Sequence, residues 1–153
     1  TLFPYTTLFR SRDSFLPGPG SDTINAAGSD LARFEFALGD SGSSRATADL
    51  ITGFDDDAGS DEFIFTSMAS QSSSIHGYLE DTTTDGFFAD SFAQMVINMG
   101  FNIFVVYSNA DLKTYVYIDL DRSHSIDMVI SIQGNALGSL SKASFFLDLF
   151  AGA

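Results

Sequence analysis

Residues 31–67, LARFEFALGDSGSSRATADLITGFDDDAGSDEFIFTS, decide the fold. LARFEFAL (31–38) alternates with period two, which sets Ala32, Phe34 and Phe36 on one face and Leu31, Arg33 and Glu35 on the other. ADLITGF (48–54) and DEFIFTS (61–67) read as two more strands, separated by the acidic turn DDDAGSD. The linking residues are Gly, Asp and Ser, which break a chain into short extended segments.

Downstream the period changes once. Phe88, Phe92, Met95, Val96 and Met99 recur at helical spacing, and Gly100 stands where a C-terminal cap belongs. NIFVVYS (102–108), KTYVYID (113–119) and SIDMVISIQG (125–134) then return to strand composition, and the spacing predicts a hairpin joining 113–119 to 125–133. LSKASFFLDLFAGA (140–153) predicts one helical turn after Leu140 and an apolar end. Upstream, 12–30 is rich in Gly, Pro and Asp and carries only isolated apolar residues. The periodicities and Gly-Asp turns together predict a mainly β fold: the end of a parallel β-roll or β-sandwich-like stack, with one α-helix near 87–99 and a C-terminal β-hairpin.

TLFPYTTLFRS (1–11) resembles a translated sequencing-adapter oligonucleotide at every position and is set aside from fold reasoning. The expectation is a gene fragment whose native N-terminus lies upstream. The other 142 residues suit a single domain, 12–153, with 12–66 as the end of the roll and 67–153 as a helix-plus-hairpin cap.

Composition narrows the function classes. Twenty acidic residues, 17 of them Asp, stand against seven basic ones, for a net charge of −13. That balance argues against nucleic acid or an anionic membrane surface as partner. The absence of cysteine excludes disulfides and thiolate metal sites. The longest apolar region, 86–107, is interrupted by Asp90, Gln94, Asn98 and Asn102, so membrane insertion is not expected. Asp is a poor helix former and a good turn residue and calcium ligand, which points to loops and hard cations.

Three stretches carry candidate chemistry. GPGSDTI (18–24) fits the tail of the calcium-binding nonapeptide GGxGxDxUx through Gly18, Gly20, Asp22 and Ile24. Glycines permit the tight turn and Asp supplies a hard oxygen. AAGSD (26–30) offers a worn second copy in Gly28 and Asp30, though its Asp–Asp step is eight and not nine. An ordinary Gly-Pro loop is the alternative.

DLDRSHSID (119–127) places Asp119, Asp121, Ser123, the Ser125 carbonyl and Asp127 at alternating positions, as an EF-hand loop does. Ile126 is its inward apolar residue, while His124 replaces the loop glycine and Ile130 stands where a bidentate Glu belongs. A polar hairpin turn is the alternative.

Gly39-Asp40-Ser41-Gly42 is the third stretch. The chymotrypsin-like order fails because both histidines, His76 and His124, follow the serine. GDS also resembles the esterases named for that motif, with Ser41 as nucleophile, His124 as base and Asp121 as its orienter. That family needs a parallel sheet with several covering helices, and this chain predicts one.

The order of these segments resembles the C-terminal region of RTX proteins, calcium-dependent exoproteins exported by bacterial type I secretion. DTINAAGSD is similar to worn nonapeptide repeat. Asp49, Ile51, Phe54, Asp61 and Phe63 hold the places of an Asp-x-Ile-x-x-Phe segment and a following Asp-x-Ile. TYVYIDLDRSHSIDMVISIQG is similar to a terminal hairpin usually written around Asp-x-Asn-Gly-Asp-Gly-x-Ala-Asp. LSKASFFL is similar to a Leu-x-x-x-Asp-Phe ending, with Ser144 in place of Asp.

The resemblance implies a secreted, extracellular, non-catalytic domain that folds on calcium, with any catalytic domain upstream. It implies Ca²⁺ held by Gly18, Gly20, Asp22, Gly28 and Asp30, and by Asp119, Asp121, Ser123 and Asp127. It also implies engagement of a type I channel by the C-terminal SFFLDLFAGA. A surface-layer or adhesin β-domain, with self-association, is a further alternative.

Overall fold

The computed structural model describes residues 12–29, 31–54, 61–66, 77–83 and 86–148. The adapter-like start, Asp30, most of the acidic turn and the last five residues lie outside them. The fold is mainly β with one helix, as the periodicities predict.

The strands alternate between two sheets. β1 (Arg12–Phe15), β3 (Leu31–Ala37), β5 (Glu62–Thr66) and β10 (Phe145–Asp148) form one sheet in that order, parallel throughout. The second sheet begins with β2 (Thr23–Asn25) and β4 (Asp49–Thr52), which are parallel to each other. The chain from β1 to β5 therefore winds back and forth as a parallel coil.

It then leaves the coil through β6 (Tyr78–Thr83), the helix α1 (Gly86–Asn98), β7 (Ile103–Ser108) and β8 (Lys113–Ile118). β9 (Met128–Gln133) brings it back, antiparallel to β8 as the hairpin expectation requires and parallel to β4. The order of the second sheet is β2-β4-β9-β8-β7-β6. Because β9 and β10 extend both sheets, the segment after residue 66 shares a core with the coil.

Alternation builds three layers. Ala32, Phe34 and Phe36 are fully buried, along with Phe63, Phe65 and Ile51, in the core between the sheets. Phe15, Phe34, Phe63 and Phe145 occupy paired register positions on four successive strands. Their rings stack at 5.4, 5.2 and 5.2 Å, an aromatic ladder across the first sheet. In β7 and β8 the alternate residues Phe104, Val106, Tyr115 and Tyr117 face the other way, against α1. Strands buried on both faces read as continuous apolar runs, which is why IFVVY and YVYI stand out in the sequence.

The apolar residues that recur at helical spacing, Phe88, Phe92, Met95, Val96 and Met99, do not form the packed face. Of these only Val96 is buried; Phe88 is 63%, Met95 48% and Met99 69% exposed. Ala89, Ala93, Val96 and Ile97 are buried instead. Phe104 and Tyr117 already fill the space above the sheet, so the helix fits only with its small residues inward. Phe92 meets Phe104 edge-on at 5.3 Å. Gly100 closes the helix as predicted, at φ +94°, with its N–H on the Ile97 carbonyl and the Phe101 N–H on Val96.

Candidate metal centre

One rim of the second sheet gathers the acidic groups. β2, β4 and β9 start there, β8 ends there, and Asp22, Asp49, Asp127 and Asp119 flank those ends. The same rim receives the C-terminus of α1, whose last carbonyls carry partial negative charge. His124 Nδ1 lies 3.3 Å from the Ile97 carbonyl, and Gln94 donates to the His124 carbonyl. Carboxylates and a helix C-terminus together favour a bound cation.

The coil contributes a buried pair. Asp22 precedes β2 and Asp49 opens β4; their register sets Thr23 beside Leu50 and Ile24 beside Ile51, so the two aspartates stand in register on adjacent coils. The Asp22 N–H donates to Asp49 Oδ1 at 2.8 Å. Asp49 Oδ2 and Asp22 Oδ2 are both buried with no hydrogen-bond partner. Burial pushes the Asp49 carboxyl up to about 6, helped by the nearby charges of Asp22 and Asp40 and opposed by the Asp22 N–H. Two orphaned carboxylate oxygens at such a site are costly unless a proton or a cation serves them.

The glycines before Asp22 make this approach possible. Gly18 has φ +74° and Gly20 φ +143°, and the Gly20 N–H donates to the Asp40 carbonyl. Gly28 lies in the turn past the far end of β2, away from Asp22, and Asp30 falls outside the described residues. Sequence reading did not include Asp49 among the candidate metal residues, though it stands on the same rim. The signal was present in the recurrence of Asp-x-Ile at 22–24 and 49–51.

The hairpin contributes a second set. Asp119, Asp121 and Asp127 each bring a carboxylate oxygen within 4.8 Å of the others. Asp119 accepts the Ser123 and His124 N–H groups at 3.2 and 3.0 Å, while Asp127 Oδ2 accepts those of Leu120 and Asp121 at 2.7 and 3.2 Å. Burial raises the Asp119 and Asp127 carboxyls, and the Ser123 hydroxyl and N–H lower that of Asp121. Arg122 and His124 adopt φ of 60° and 63°. His124 thus takes the left-handed conformation for which an EF-hand loop uses glycine. A cleft of about 240 Å³ opens beside the loop, lined by Gly100, Asn102, Asp119, Arg122 and His124.

Among the described residues no hydrogen bond links Ser41, Asp121 and His124. Ser41 is buried, and its hydroxyl donates to the Val129 carbonyl at 2.5 Å and accepts the Asp49 N–H at 2.9 Å. The hydroxyl ties the GDSG loop to β4 and β9, and the His124 ring faces Ile97.

A further polar cluster had no sequence signal, because its members are far apart in the chain. Arg45 donates to Asp90 at 2.9 Å and to Asp111 at 3.1 Å. Tyr117 and Tyr115 donate to the same two carboxylates. The hydrogen bond to Asp90 raises Arg45 further, and the cluster pins the 39–47 loop to the helix layer. No family model matches this chain, and no curated protein matches it either.

Proposed function

We propose that this chain is a non-catalytic, calcium-dependent folding domain that closes a parallel β-coil, of the kind found at the C-terminus of RTX exoproteins. The observation that carries the reading is the in-register Asp22–Asp49 pair, with one buried, unpartnered carboxylate oxygen on each residue. A hard divalent cation bound there would satisfy both oxygens and remove the repulsion that raises Asp49. The Asp119–Asp121–Asp127 set is a second calcium position on the same rim.

Extracellular calcium modules bind at about 0.1–1 mM, so such sites empty inside a cell and fill outside it. A chain of net charge −13 that folds only after export through a type I channel fits that behaviour. Secretion would be read by the C-terminus, where Phe145 packs in the core and residues 149–153 lie outside the described ones. Removing residues 149–153 should abolish export through a type I channel if they carry the signal.

Melting in millimolar calcium against chelator, at fixed ionic strength, tests the metal. At about 5 mM calcium, with Kd about 0.1–1 mM, one site adds about 1–2 kcal/mol. Asp49→Asn should blunt the rise in melting temperature more than Asp127→Asn does, since the hairpin carboxylates already have N–H partners. Coincident curves in calcium and chelator would sink the calcium reading.

A further inference from the structure

The loop that joins β3 to β4, residues 38–48, touches parts of the molecule that are far apart in the chain. Its first half helps to build the acidic rim. The Asp40 carbonyl accepts the Gly20 N–H at 3.2 Å, and the Gly42 carbonyl accepts the Val129 N–H at 2.8 Å. Its second half closes on itself. The Gly42 N–H donates to the Thr47 carbonyl and the Thr47 N–H to that of Ser44, while the Ser44 and Thr47 hydroxyls meet at 2.8 Å. A Cβ on Gly42 would overlap the Thr47 side chain, so this small ring is tightly closed.

Arg45 stands at the tip of the ring. Its side chain is three-quarters buried and bridges Asp90 of α1 and Asp111 of the β7–β8 turn, 5.5 Å from the Tyr115 ring. Both carboxylates have other donors: the Tyr117 hydroxyl on Asp90, and those of Tyr115 and Ser108 on Asp111. A shared network of this kind holds a loop where an isolated surface pair would not. From the ring the chain passes through Ala48, which belongs to the same core cluster as Ala89 and Ala93, and opens β4 at Asp49.

We propose that Arg45 is a positioning residue for the Asp22–Asp49 pair: by holding the tip of the 42–47 ring it fixes the start of β4 and keeps the Asp49 carboxylate on the Asp22 N–H. The helix layer and the coil site are then energetically coupled through the loop. The inference rests on the calcium reading of that pair. Charge and position act in opposite directions here. Removing a positive charge near a cation site strengthens binding by Coulomb's law alone, whereas losing the clamp loosens Asp49 and weakens it. Arg45→Lys keeps the charge but not the planar fork that spans both carboxylates.

Calcium titration of the full chain against a competing chelator should give a Kd about threefold higher in Arg45→Lys and about tenfold higher in Arg45→Met. In an Asp49→Asn background, where the hairpin set is left to bind, neither change should move the remaining Kd. Amide exchange in chelator supplies a metal-free readout. In Arg45→Lys the Asp22 and Asp49 N–H groups, bonded to Asp49 Oδ1 and Ser41 Oγ, should exchange about tenfold faster, with the β8 amides unchanged. An unchanged Kd in Arg45→Lys, tighter binding in Arg45→Met, or faster exchange that includes β8 would overturn the assignment. A parent chain that binds no calcium would sink the calcium reading instead, and exchange in chelator would still decide whether Arg45 holds the pair.

Discussion

The coil of β1–β5 and the meander of β7–β9 both carry aspartates to the same rim, yet they treat them oppositely. In the hairpin, Asp119 and Asp127 are acceptors for the N–H groups of their own loop. In the coil, Asp49 takes one N–H from the neighbouring turn and leaves its second oxygen buried and unserved. A loop can fold around its own carboxylates because its residues are neighbours in the chain. Stacked coils meet only after folding, and their geometry is set by the sheets. Local hydrogen bonds satisfy the hairpin carboxylates without a ligand, whereas the coil leaves two buried carboxylate oxygens without a partner.

The largest effect that would sharpen this contrast lies in the ladder. Phe34 is fully buried and stacks on Phe15, Phe54 and Phe63. Phe34→Ala should cost about 3–5 kcal/mol in urea unfolding. A cost under about 1 kcal/mol would mean the coil is not the stabilising half.

Glycines give the next comparison. Gly53 has φ +69°, and a Cβ there would lie 2.4 Å from the Ala27 nitrogen of the adjacent coil. Gly134 has φ +87° with nothing within 4 Å. Gly53→Ala should cost about 2–4 kcal/mol, from strain and overpacking together, and Gly134→Ala about 1 kcal/mol. Equal costs would break the claim that the coils are in close backbone contact.

Ser41 joins the two regions through Val129 and Asp49. Ser41→Ala should destabilise by about 1–3 kcal/mol, because it leaves a buried carbonyl and N–H unpaired. It should abolish no hydrolytic activity. Labelling of Ser41 by a serine-directed phosphonate would revive the esterase.

The finest test is the pH dependence. Asp49 has its folded value raised from 3.8 to about 6, so across that window the folded state holds the extra proton and calcium-free stability falls as pH rises. Asp119 and Asp127, also raised, act in the same direction, and Asp121, lowered, acts against them. In chelator the melting temperature should be higher at pH 5 than at pH 7, and Asp49→Asn should shrink the difference. Millimolar calcium should reverse the trend, since protons then compete with the metal. An unchanged slope in Asp49→Asn would show that Asp49 is not the group responsible.

By itself the sequence determined the elements with strong periodicity. The Phe-rich strand at 31–37, the paired strands 113–118 and 128–133, the helix with its Gly100 cap and the single turn at 142–144 were all legible, because side-chain period and cap chemistry are local. β1, β2 and β6 were not: RDSF, TIN and YLEDTT are short or polar, and they are held by pairing with neighbouring strands and by the packing of Phe15, Ile24 and Tyr78 on the core, which only the fold supplies. The facing of α1 was decided by tertiary packing, since Ala89 and Ala93 fit against Phe104 and Tyr117 where larger side chains do not. The aspartates of the hairpin set stood close together in the chain and could be read there. The Asp22–Asp49 pair is 27 residues apart and exists only because β2 and β4 lie in register, so the fold alone brought those carboxylates together.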